Sequence, residues 1–178
     1  MNPPSNDPRH STLNTQHSTS LKIARVTLSD RASAGVYEDR SGPEIERVWA
    51  EHGGEPADWV RVLIADERAE IESTLRRLCD AELCDLVLTT GGTGPAPRDV
   101  TPEATRAVLD RELPGFGEIM RVQSFAKVPT AILSRATAGT RGRSLIVNLP
   151  GNPRAIGECL PLVLPAIREA LRHLRGES

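Results

Sequence analysis

A chain of 178 residues, 38% hydrophobic and 26% charged, has the apolar content to bury a core of ordinary size, and this composition excludes a disordered chain. A formal net charge of −2 gives no bulk attraction for nucleic acid or an anionic membrane, and 3% aromatic residues leave little for base stacking. No apolar run is long enough to span a bilayer.

Residues 1–20 hold almost nothing that can be buried, and they lack both the apolar stretch of a signal peptide and the arginines of a transit peptide. They read as a disordered leader to a single domain over 21–178. "KIARVTLS" from Lys22 alternates well enough to be a strand, and "SGPEIERVWAEHGG" puts Ile45, Val48 and Trp49 on one helical face. Ser41 and Pro43 mark the start of that helix and Gly53 its end. "WVRVLI" (59–64) is the second strand, and Ile71, Leu75, Leu78 and Cys79 define the next helix. "DLVLTT" (85–90) is a short apolar strand, after which Thr101 and Pro102 read as the N-cap and first residue of a helix. A further helix is expected over Gly115 to about Ala126, and a buried strand over "SLIVNLP" (144–150). The last helix starts at Asn152-Pro153, with a break expected near Leu160 because Pro161 and Pro165 fall inside its apolar pattern. Strands alternating with helices predict an α/β layered domain with a mostly parallel sheet, whose ligands bind beyond the carboxyl ends of the strands.

"TTGGTGPAPRDVTPEAT" (89–105) lies at such an end. Its glycines allow main-chain N–H groups to converge on an anion, and Thr89, Thr90 and Thr93 add hydroxyls. No Gly-Lys-Ser/Thr follows, so it is no Walker A loop, and Pro97 stands where a Rossmann fingerprint needs glycine. Taken alone it is equally an ordinary tight turn. Asp66 and Asp99 follow successive strands, so parallel strands would set both carboxylates beside this turn. Carboxylates repel a phosphate unless a cation intervenes, and Mg²⁺ suits that place. Asp66 by itself reads as the N-cap of "ERAEIE". "NLPGNP" (148–153) offers a second glycine turn before a capped helix, an anion site or a plain connection, and "SDRASAGVYEDRSGP" (29–43) a fourth polar loop at the same rim.

Cys79, Cys84 and Cys159 form no Cys-x-x-Cys pair and fit a reduced, cytosolic chain. His10, His17, His52 and His173 lack metal-ligand spacing. With no Ser–His–Asp arrangement and no activated cysteine, the residues point to phosphoryl or nucleotidyl transfer, or to binding of a phosphate ligand, with Mg²⁺ and no covalent intermediate.

The long motifs at 89–105, "SDRASAG…DRSGP" and "AILSRATAGTRGRSLIVNLPGNP" together resemble the molybdopterin adenylyltransferase family of MogA and MoaB type, which includes the G domain of gephyrin. The similarity runs in order from about Leu21 to Leu174. It implies a three-layer α/β/α domain that assembles as a homotrimer in the cytoplasm and transfers AMP from Mg-ATP to the terminal phosphate of molybdopterin, releasing pyrophosphate. It places molybdopterin synthase upstream and a molybdenum-inserting protein downstream. The family's essential acidic positions match Asp66 and Asp99, with Mg²⁺ between them. Its pterin site matches Ser29, Asp39, Gly91, Gly92, Thr93, Gly94, Ser124, Ser134 and Asn148, and its second glycine turn, on the nucleotide side, Pro150, Gly151 and Asn152. A non-catalytic molybdopterin carrier or scaffold is the alternative that the same resemblance permits.

Overall fold

Four parallel strands end level with one another. The computed structural model describes residues 20–53 and 55–177; the expected leader lies outside these apart from Ser20. The strands are β1 (Leu21–Leu28), β2 (Ala57–Ile64), β3 (Leu86–Thr90), β4 (Arg111–Glu112), β5 (Ala138–Arg141) and β6 (Ser144–Leu149), in the sheet order β2-β1-β3-β6-β5-β4. Leu28 pairs with Ile64, Thr27 with Thr90 and Thr90 with Leu149, so β2, β1, β3 and β6 stop at one rim. β3 and β6 are buried along their whole length, as strands covered on both faces must be, and this explains their unbroken apolar character.

The helices α1 (Asp30–Ser33), α2 (Ser41–His52), α3 (Arg68–Arg76), α4 (Thr101–Arg106), α5 (Gly115–Phe125) and α6 (Pro153–Arg175) complete three layers. A π-helical turn, Arg77–Ala81, extends α3, so that Leu78 and Cys79 stay buried as their spacing predicts. On one face α2, α5 and α6 bring Ile45, Trp49, Phe116, Met120, Ile156 and Leu160 against Leu86, Leu145 and Val147. On the other, Ile71, Leu75 and Leu78 with Ala104 and Val108 pack on Val26, Val87 and Ile146. The helices α2, α3, α4 and α6 all begin just past the rim, which turns four sets of N-terminal amides toward it.

Three local expectations are corrected. α6 runs unbroken from Pro153 to Arg175 through both prolines. Two interior prolines cost roughly 6 kcal/mol. Against this stand seven buried side chains on both sides of them, Ile156, Cys159, Leu160, Val163, Leu164, Ile167 and Leu171, worth at most about 1.5–3 kcal/mol each. The packing wins, and the solvent side of the helix takes Pro165. Thr101 is the first residue of α4 rather than its cap, a place held by Val100 without a side-chain bond. Its hydroxyl donates back to the Gly91 carbonyl at 2.9 Å. Asp66 does not cap α3 either; Glu67 holds that position, leaving the Asp66 carboxylate for other partners.

Candidate functional site

The rim is assembled from the loops that follow β1, β2, β3 and β6. Gly91 (φ +102°) and Gly92 (φ +59°) adopt the left-handed conformation that glycine tolerates. A Cβ on Gly91 would sit 2.2 Å from the Leu28 carbonyl oxygen, and one on Gly92 2.3 Å from Thr101 Oγ1 and 3.0 Å from Asp66 Oδ1. At Gly94 a Cβ would come within 2.8 Å of Asp99 Oδ2. The two predicted acidic residues therefore each face one glycine of the same turn. Thr93, between them, is buried, and Asp99 is held by the Ala96 N–H, which donates to its Oδ2 at 3.0 Å.

Asp66 and Asp30 are locked reciprocally. The Asp30 N–H donates to Asp66 Oδ2, and the Asp66 N–H donates to Asp30 Oδ1, both at 3.0 Å. Asp66 Oδ1 is buried and meets no hydrogen-bond partner; among the described residues only Glu103 Oε2 shares that condition. Burial raises the Asp66 pKa above the ordinary carboxylate value, and the charges of Asp30 and Asp99 add to this against the bond from the Asp30 N–H. Asp30 moves the other way. The Arg98 guanidinium, bonded to both its oxygens, lowers its pKa, and Arg98 also pairs with Glu67 at 2.8 Å.

Beside the turn lies a cavity of about 430 Å³ between α5, the 3₁₀ turn Pro129–Leu133 and the start of α6. Ser124, Ser134, Pro150 and Asn152 line it, as do Arg121, Lys127 and Arg154 against the single carboxylate of Glu158. Its charge balance thus suits an anionic ligand. Asn152 caps α6, its Oδ1 accepting from the Arg154 N–H at 2.9 Å. The two glycine turns are tied together. Thr90 Oγ1 donates to the Pro150 carbonyl at 2.7 Å, and a Cβ on Gly151 would be 3.3 Å from Gly91 Cα.

The structure thus gathers Asp66, Asp99, Gly91, Gly92, Thr93 and Gly94 in one group, and Ser124, Ser134, Pro150 and Asn152 around the adjoining cavity. Ser29 stands at the same rim, where its Oγ accepts from the Ala32 N–H and lies 3.1 Å from the Tyr37 hydroxyl. Two residues from the resemblance are occupied elsewhere. Asp39 accepts from Arg25, Thr27 Oγ1 and the N–H groups of Ser41 and Gly42, and so secures the start of α2. Asn148 is fully buried, its amide donating to Thr89 Oγ1 and Thr105 Oγ1, each at 2.9 Å. Sequence reasoning passed over Asp30, Arg98 and Arg135. All three stand inside the quoted motifs, but only their contacts in the fold give them importance.

Cys79, Cys84 and Cys159 are unpaired and buried, and burial raises each thiol, that of Cys84 to about 11, so none is an activated nucleophile. No helix among the described residues is long and apolar enough to cross a membrane.

Known proteins share this sequence and fold. Residues 24–169 match the family described as "Probable molybdopterin binding domain". A molybdopterin adenylyltransferase of Helicobacter pylori (strain J99) is 56% identical over 147 residues, covering 83% of this chain and 84% of that protein. The molybdopterin adenylyltransferase of Escherichia coli K12 is 52% identical over 153 residues, covering 86% and 78%. The crystal structure of the molybdopterin biosynthesis enzyme MoaB from Thermus thermophilus superposes with a TM-score of 0.80 at 45% identity, covering 88% of this chain and 97% of that one. With a rim and cavity of this form and a match across most of its length, the chain belongs to the molybdopterin-binding-domain family of molybdenum cofactor biosynthesis.

Proposed function

We propose that this chain is a molybdopterin adenylyltransferase, which joins AMP from ATP to the terminal phosphate of molybdopterin. A phosphate oxygen of molybdopterin attacks the α-phosphorus, the bond to the α–β bridging oxygen breaks, and pyrophosphate leaves with that electron pair. The observation that carries this reading is the pair of carboxylates set against Gly92 and Gly94, one with a buried oxygen lacking any partner, beside a cationic cavity. Family membership and the adenylyltransferase names of relatives above 50% identity support it.

The cavity takes the pterin, with Ser124 and Ser134 as hydroxyl contacts, and its phosphate reaches the main-chain amides of residues 91–94. The capped start of α6 at Asn152 borders the same space, and Ser29 stands at the rim outside it. Asn148 and Asp39 serve from beneath, one tying β6 to β3 and α4, the other fixing α2. Among the described residues no three His, Cys, Asp or Glu form a metal cage. The set that exists, Asp66 and Asp99, fits Mg²⁺, which takes few carboxylates and completes its shell with water and phosphate oxygens. When bound there, the ion would neutralise charge between the two phosphate groups. Asp66 offers its orphan oxygen, while Asp99 holds its own position through Ala96.

The reading includes assembly as a homotrimer. The reading also includes supply by molybdopterin synthase, delivery to a molybdenum-inserting protein, and work in the cytoplasm, which suits three unpaired cysteines. The decisive assay mixes the protein with molybdopterin, ATP and Mg²⁺ and measures pyrophosphate and adenylylated pterin. Pterin binding without pyrophosphate would overturn the catalytic reading in favour of a carrier.

A further inference from the structure

We propose that Arg135 is a positioning residue that couples the cavity to the acidic glycine loop; the inference rests on the adenylyltransferase reading. Residues 134–136 stand between the two. Ser134 and Ala136 line the cavity, and Arg121, which also lines it, donates to both their carbonyls at 3.1 and 3.0 Å. Arg135, between them, makes all its bonds on the other side. Its backbone N–H donates to the Thr93 carbonyl at 2.8 Å, Nε to the Gly94 carbonyl at 2.9 Å, one Nη to the Asp99 carbonyl at 2.5 Å and the other to Glu103 Oε1.

Each acceptor lies in the glycine loop, on Asp99 or in the first turn of α4. In a trans peptide the C=O and the next N–H point in opposite directions. Holding the Thr93 carbonyl toward Arg135 therefore turns the Gly94 N–H away from it. The guanidinium holds the Gly94 carbonyl in the same way; without it that carbonyl is free to rotate toward the phosphate and repel it, while the Thr93 bond, made by the main chain, persists. Holding the Asp99 main chain likewise fixes the stem of a carboxylate that Ala96 steadies only at its tip. Only a planar fork with several donors can reach two carbonyls and a carboxylate at once; a lysine amine cannot. A pterin that shifts residues 134–136 therefore shifts Asp99, so occupation of the cavity sets a carboxylate that helps place metal and phosphate.

The test compares the full-length wild type with Arg135→Lys and Arg135→Ala. Wild-type pyrophosphate release is measured first; its absence would defeat the adenylyltransferase reading itself, before any variant is read. Given turnover, both variants should lose about tenfold or more in kcat, the size usual for supporting residues, and KM for molybdopterin should rise as the loop loosens its hold on the phosphate. In parallel, affinity for a non-hydrolysable ATP analogue is measured with and without molybdopterin. The wild type should show a ratio of about fivefold or more, and the variants a ratio near one. Circular dichroism and melting confirm folding, and the Lys variant carries the test if the Ala variant does not fold. Full turnover by Arg135→Lys, a ratio near one in the wild type, or a wild-type ratio kept by the variants would each overturn the proposal.

Discussion

Two glycine turns leave the sheet at the same level, each from a buried parallel strand and each leading to a helix, yet they are built differently. The turn after β3 wanders through residues 91–100 before α4, has two left-handed glycines, and meets carboxylates from both Asp66 and Asp99. The turn after β6 needs only residues 150–152, its glycine is not left-handed, and an asparagine caps α6 directly. The first therefore handles charge, and the second shapes one wall of a cavity. The same local signature of strand, glycine and capped helix fixes where a turn lies. Its chemistry comes from what neighbouring strands deliver to it.

If charge handling belongs to the first turn, the largest effect should come from Asp99→Asn. The amide oxygen can still accept from the Ala96 N–H, so the loop stays in place while the charge is lost. Pyrophosphate release should fall by at least about 10²-fold, a typical loss for one electrostatic contact in a transfer site, with an unchanged circular dichroism spectrum. Near-normal turnover would remove Asp99 from the mechanism.

Alanine at each turn sharpens the contrast. Gly92→Ala imposes a left-handed alanine and a clash with Thr101 Oγ1, which breaks the bond to Gly91. It should cost about 2–4 kcal/mol. Gly151→Ala meets only the Gly91 main chain, Cα at 3.3 Å and N at 3.7 Å, with no backbone strain, and should cost less than about 1 kcal/mol. Denaturant melts of both variants measure the difference, and equal losses would erase the distinction.

The smallest effect has an unusual sign. Because the native state raises the Asp66 pKa, folded protein keeps that proton to higher pH than the unfolded chain does. This contribution to stability is whole below the ordinary value of 3.8 and is lost as pH rises through the native value. Asp66→Asn should therefore melt higher than wild type at pH 7, by roughly 2–4 °C for each kcal/mol relieved, and show no advantage near pH 3.5, although it no longer turns over. Calorimetry at the two pH values checks this; a lower melting point at pH 7 would mean that the orphan oxygen is not a strained one.

The apolar periodicity of the sequence reveals β1, β3, β6 and the main helices because burial dictates them, and the half-buried edge strand β2 because Val60, Val62 and Ile64 pack on the core. Ile23, Val26, Leu86 and Ile146 are wholly inaccessible. β4 and β5 escape notice since "RE" and "AGTR" carry no pattern of their own; they become strands by antiparallel pairing, β5 on β6 and β4 on β5. The two carboxylates are legible from strand order. Asp39 and Asn148 look equally available in a string of letters, and only Arg25, Thr89 and Thr105 show that they are engaged. Arg135 stands in a quoted motif, but its role leaves no trace there, because three of its partners are main-chain carbonyls.

The reciprocal bonds of Asp30 and Asp66 have a consequence for assembly of the sheet. β2 is an edge strand that pairs only with β1, and an edge can slide. The Ser29 N–H donates to the Ile64 carbonyl at 3.0 Å, and the two aspartates continue this ladder with side chains in place of main-chain oxygens. A slip by one residue would break both bonds and turn the inward side chains of β2 outward. It would also withdraw Asp66 from the glycine loop. A misregistered molecule is thus silent rather than wrongly active, since the residue that pins the strand is the one that equips the site.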